Sequence, residues 1–124
     1  MKTYIEVEEK QKEYQEKFDK LREENPNDII TLSIYGDWVD LIGEFLIWNV
    51  SKYAEKVGFD FNSGEEIFEF TDEVKKELLI TEEEAREMLE QYEKEVNSYM
   101  FSKKDARTQS MLKTEVDILK WMLE

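Results

Sequence analysis

A mostly α-helical fold, a compact bundle of about five helices in one domain spanning 1–124, is what this sequence predicts. Three observations predict it. The chain holds only four Gly and one Pro in 124 residues, too few turn formers for a loop-rich all-β architecture. Apolar residues recur at three- and four-residue spacing over long stretches, the period of a helix with one buried stripe. Three Ser/Thr-x-x-Glu signatures, Thr3 with Glu6, Ser63 with Glu66 and Thr81 with Glu84, stand immediately before such stretches, where a side-chain oxygen and a carboxylate satisfy the first backbone N–H groups.

The first helix is expected over about 4–24, with Tyr4, Val7, Tyr14, Phe18 and Leu21 on one stripe and Gln11 in the seam between Val7 and Tyr14. Glu6/Lys10, Glu8/Lys12, Glu13/Lys17 and Glu16/Lys20 are i,i+4 pairs in the favourable order on its outer side. Asn25-Pro26-Asn27-Asp28 ends it, because proline restricts the preceding residue and cannot continue the hydrogen-bond ladder. Residues 29–35 read two ways, since Ile30, Leu32 and Ile34 alternate as in a strand yet could lead into the next helix. From Asp37 to Val57 the pattern is helical, with Trp38, Leu41, Ile42, Phe45, Leu46, Tyr53 and Val57 on one face and Gly58 as its stop. Val39, Ile47, Trp48 and Val50 carry the apolar surface round the other sides, which predicts a helix central to the fold or one that lends a side to another chain.

Residues 59–70 could form a short hairpin or small sheet, which with 29–35 makes an α+β fold the alternative. The preferred reading is a helix from Ser63, continued by Ile67, Phe70, Val74 and Leu78. Another helix begins at Thr81, where Glu82, Glu83 and Glu84 face the positive end of the helix dipole. Its expected buried stripe is Ala85, Met88, Leu89, Tyr92, Val96, Tyr99 and Met100. A final helix over about 105–123 has Asp105 as its cap.

The chain has no Cys and no His. That removes disulfides, thiolate zinc sites, Ser-His and Cys-His nucleophiles and His-ligated metals, so the expectation is a protein that is not an enzyme and holds no cofactor or metal. Asp60-Phe-Asn62-Ser-Gly64-Glu65 departs from a calcium loop, since its twelfth position is Thr71 rather than a carboxylate. Gly36, Gly43, Gly58 and Gly64 match no phosphate-loop spacing. The sequence starts with no long apolar segment, and its most apolar run, Trp38 to Val50, is too short to cross a bilayer, so the expected setting is cytoplasmic, away from membranes.

The net charge of −14 is uneven. Residues 65–95 hold 13 acids and 4 bases, whereas residues 96–124 hold 4 acids and 5 bases. On a helix those carboxylates average roughly one per 3.5 Å, near the phosphate spacing of one DNA strand, although a solvated, solubilising face gives the same figure. The candidate partner-binding surface is therefore acidic: Glu65, Glu66, Glu69, Asp72, Glu73, Glu77, Glu83, Glu84, Glu87, Glu90 and Glu93. Its partner would be a basic protein surface such as a nucleic-acid-binding cleft. Direct binding of nucleic acid is not expected, because the only basic cluster is Lys103, Lys104 and Arg107.

Small, acidic, cysteine-free helical proteins of this kind are similar in character to phage-encoded or mobile-element inhibitors, including anti-restriction and anti-CRISPR proteins that occupy nucleic-acid-binding clefts. The resemblance implies an inhibitor acting as a nucleic-acid mimic. The alternative is a structural or assembly protein, such as a helical adaptor, chaperone or homodimer subunit, whose first-helix seam pairs two chains with Gln11 as a polar register element.

Overall fold

The computed structural model describes residues 1–56, Gly58, Glu73 and residues 82–124. Within them run four α-helices, α1 (Tyr4–Glu24), α2 (Ile29–Lys56), α3 (Glu82–Val96) and α4 (Ala106–Leu123), with a 3-10 turn at Tyr99–Lys103 and no strand among the described residues. The protein is a compact helical fold. The helix expected from Ser63 and the hairpin alternative at 59–70 lie outside the described residues, as does the Thr81 cap.

Helix α1 has the bounds its capping box and Pro26 predict. The Thr3 hydroxyl accepts from the Glu6 N–H at 3.3 Å, and Asn25 closes the helix with its N–H on the Leu21 carbonyl at 2.7 Å. The stripe of α1 packs along α2 in an antiparallel hairpin. Tyr14 stacks on Trp38 with ring centroids 4.4 Å apart and meets Tyr35 edge-on at 5.7 Å, contacts worth about 0.5–1.5 kcal/mol each beyond their area. Phe18 lies against Gly36, and Gln11 donates from Nε2 to the Val39 carbonyl at 3.0 Å, beside Gly43, which leaves room for its amide. The polar seam residue thus sets register within the chain. On the outer side Lys10 pairs with Glu13 at 2.8 Å rather than with Glu6, and its ammonium also stands 5.1 Å from the Trp121 ring of α4.

Residues 29–35 are helical, which corrects the strand alternative. Asp28 accepts from the Thr31 N–H at 3.2 Å, and the Asp28 carbonyl takes the Leu32 N–H at 3.1 Å, so the turn after Pro26 nucleates a helix at once. The alternation that resembled a strand dissolves on a helix of 3.6 residues per turn: Ile30 and Ile34 share the solvent side, while Leu32 turns inward. Helix α2 is therefore 28 residues and about 42 Å long, with Gly58 beyond its end at φ +78, the left-handed region that glycine enters without strain.

Helix α4 lies beside α2, and α3 packs more closely on α4 than on α2. One apolar core draws on all four helices: Tyr4 and Val7 from α1, Leu41, Ile42, Phe45 and Leu46 from α2, Ala85 from α3, and Ile118, Leu119 and Met122 from α4. The segment before α1 is tied to the end of α4 by the Lys2 N–H on the Met122 carbonyl at 2.8 Å. Helix α4 starts one residue after its expected cap, with Asp105 accepting from the Thr108 N–H at 2.7 Å; that bond holds the Asp105 carboxyl below its usual range.

The stripe expected to run through Tyr99 and Met100 stops earlier. Ser98 turns extended, its hydroxyl donating to the Glu95 carbonyl at 2.7 Å, and α3 ends at Val96. Tyr99 and Met100 are consequently exposed, and Phe101 is the apolar residue that turns partly inward. Gln109 secures this corner by donating to the Phe101 and Lys104 carbonyls at 3.2 and 2.9 Å.

Candidate functional site

The acidic surface proposed from the sequence divides in two. Glu65, Glu66, Glu69, Asp72 and Glu77 lie outside the described residues. Glu73 is an exposed helical residue, and the remaining five sit on α3. Ala85, Met88, Leu89 and Tyr92 turn toward the core at 3-4 spacing, which forces Glu83, Glu87 and Glu90 onto the opposite, solvent side, again at intervals of four and three. Among the described residues Glu83 and Glu87 carry no ion pair, while Glu90 meets Lys94 at 3.2 Å on the open surface. Arg86 donates to Glu82 at 2.6 Å, which keeps the Glu82 carboxyl below its usual range.

Glu84 and Glu93 do not belong to that outer stripe. Glu84 is drawn toward α2, where both its oxygens accept from Lys52 Nζ at 2.6 Å, and Glu93 reaches Lys120 of α4 at 3.6 Å. Both acids therefore bridge helices, and the outward field of α3 comes mainly from Glu83, Glu87 and Glu90. No three carboxylates among the described residues come together in a group that could hold a metal ion.

The basic cluster named from the sequence is dispersed. Lys104 pairs with Glu95 at 3.3 Å, Lys103 lies 5.3 Å from the Tyr99 ring, and Arg107 reaches back to α2. Arg107 donates from both terminal nitrogens to the two oxygens of Asp37, each bond 2.6 Å long. The Asp37 side chain is 2% exposed and that of Arg107 54%, so a buried carboxylate is held by a guanidinium that keeps contact with water. This hydrogen-bonded pairing raises the Arg107 pKa above its already high ordinary value. Sequence reasoning took Asp37 for a helix start; the acid instead sits one third of the way along α2, and its partner is 70 residues distant, so no local spacing could reveal the pair. Beside it, between α1 and the first turns of α2, runs a groove of about 390 Å³ whose lining includes Phe18, Ile29, Leu32, Asp40 and Arg107.

A second concavity, about 250 Å³, opens between α2, α3 and α4. It exists because α3 leans on α4 and stands off from α2. Leu41, Phe45 and Met88 form its apolar wall, and Trp48 and Tyr92 contribute their rings. Two carboxylates, Glu44 and Glu115, reach it. Burial pushes the Glu115 carboxyl above its usual range; the Tyr92 hydroxyl, which donates to it, pulls the other way, and the charges of Glu44 and Glu95 add to the rise. Burial and the neighbouring Glu115 carboxylate push the Tyr92 phenol up to about 12. The candidate surface drawn from the sequence did not include Glu44 or Glu115, because neither lies in the acid-rich stretch of the chain. A signal was present for Glu44 all the same: it is a lone acid in the apolar stretch from Leu41 to Trp48.

Comparison of this chain with family models, with curated proteins and with solved structures finds no match.

Proposed function

We propose that this protein acts by binding, docking an acidic surface on a basic, nucleic-acid-binding surface of a partner protein and so inhibiting it, with no bond made or broken by its own side chains. The observation that carries this reading is the stripe of Glu83, Glu87 and Glu90 on the solvent side of α3, within the part of the chain that holds most of the net negative charge. Carboxylates fixed on a rigid helix attract a basic cleft at long range and raise the association rate, while the dispersal of Lys103, Lys104 and Arg107 into internal contacts leaves no basic stripe for phosphate among the described residues. The resemblance in character to anti-restriction and anti-CRISPR inhibitors points to bacterial nucleases as the first partners to try.

The test is a titration of such nucleases with the protein across ionic strength, with duplex DNA as competitor. The expected result is binding that weakens steeply as salt rises and that DNA displaces, with slower association for the triple variant E83Q/E87Q/E90Q. Binding indifferent to salt, or simultaneous occupancy with DNA, removes the proposal.

A second reading, a subunit of an assembly, is favoured by the exposed apolar residues of α2: Ile29, Ile30 and Ile34 at its start and Ile47 further along. The seam of α1 is less suited to pairing two chains, since it packs on α2. Sedimentation across concentration separates the readings, and a mass that rises with concentration in the native chain but not in I30E/I34E supports assembly.

A further inference from the structure

The cavity between α2, α3 and α4 has a chemistry that the outer acidic stripe lacks. Its volume, about 250 Å³, falls below the roughly 300–1,000 Å³ of pockets that take drug-sized ligands, and suits a single long side chain. Apolar walls beneath carboxylates fit one class of group, a methylene stem with a cationic head. Neither Glu44 nor Glu115 is in an ion pair among the described residues. Glu115 is half-buried, with the Tyr92 hydroxyl as donor and two further carboxylates nearby, so ionisation there is opposed until a cation arrives. The molecule contains a working example at the rim: the Lys52 ammonium stands 4.5 Å from the Trp48 ring centroid while binding both oxygens of Glu84 at 2.6 Å.

We propose that this cavity is the anchor site for one lysine or arginine side chain of the partner protein, its stem against Met88 and Trp48 and its charged head between Glu44 and Glu115. The inference rests on the docking function proposed above and deepens it. The outer stripe supplies attraction at a distance, and the cavity supplies the short-range, desolvated contact that resists dissociation. A lysine or arginine entering here relieves the uncompensated carboxylates and covers the aromatic faces in one step.

The test uses the full chain and an oligolysine peptide at low ionic strength, followed by NMR and by fluorescence anisotropy. The expected result is a shift of the Trp48 indole N–H and Met88 methyl signals, with intermolecular NOEs from both to lysine side-chain methylenes. The E44Q/E115Q variant, in which the amide oxygen that replaces the Glu115 carboxylate can still accept from Tyr92, is expected to bind the peptide roughly tenfold or more weakly, and E83Q/E87Q only about two- to threefold more weakly, since exposed rim charges act mostly on encounter. Unchanged affinity in E44Q/E115Q, or absence of the NOEs in the native chain, overturns the anchor site; loss of binding in E83Q/E87Q alone then leaves the acidic-surface function standing. A native chain that fails to bind the peptide at low salt overturns the anchor and the acidic-surface function together.

Discussion

Replacing Arg107 with alanine tests how a buried acid is tolerated within α2. The substitution removes two charge-assisted hydrogen bonds of 2.6 Å and leaves the Asp37 carboxylate, 2% exposed, without its counterion. Removing one partner of a fully buried ion pair costs about 3–5 kcal/mol, most of it the penalty for a charge left unpaired. Arg107 is half-exposed, so water can enter the space it vacates and recover part of that loss, which lowers the expected cost to about 2–4 kcal/mol. For a chain of 124 residues this corresponds to a fall in Tm of roughly 8–16 °C, measured by circular dichroism at 222 nm and checked by urea denaturation. Removing both charges together, as in D37L/R107L, is expected to cost less than R107A alone, because no bare carboxylate remains. A cost under about 1 kcal/mol for R107A, or a double variant less stable than R107A, refutes the reasoning and means that water already solvates Asp37.

Two further outcomes follow from the titrating groups. Burial and the adjacent Glu115 push the Tyr92 phenol up to about 12, so the folded state holds this proton more tightly than the unfolded chain; stability is full below the ordinary tyrosine pKa of about 10 and is lost as pH rises from there through the folded value. Burial raises Tyr4 and Tyr14 as well, so absorbance at 295 nm should show a tyrosine that ionises after all the others and that Y92F removes; a Y92F chain with an unchanged last step shows the assignment to be wrong. Asp105 is the opposite case: the Thr108 N–H holds its carboxyl below the ordinary 3.8, so the cap contributes stability above that value and loses it as pH falls through the folded pKa. D105A should accordingly lower the urea midpoint at neutral pH, with a deficit that shrinks as pH falls below 3.8 and through the folded pKa; a deficit that does not change with pH points to a role other than capping.

The helix ends are legible along the chain because short-range physics writes them into short stretches. Thr3 with Glu6, Asp105, Asn25-Pro26 and Gly58 mark helix ends through bonds made within a few residues, and α1 and α4 accordingly run where spacing and caps put them. The charge asymmetry along the chain was equally legible, since it needs only counting. Tertiary structure decided the rest, because each remaining feature depends on groups brought together from distant positions. Ile30, Leu32 and Ile34 fit a strand or a helix by pattern, and the Asp28 cap together with the packing of α1 on α2 made them a helix. Tyr99 and Met100 continue the periodicity of α3, yet Ser98 ends the helix before them and leaves both in solvent. Glu84 looks like its acidic neighbours until Lys52 draws it inward, and Asp37 looks like the first residue of a helix until Arg107 reaches it from α4. The cavity holding Glu44 and Glu115 arises only where three helices converge: Leu41, Glu44, Phe45 and Trp48 share helical spacing on α2, but nothing in that stretch shows that Met88, Tyr92 and Glu115 will face them.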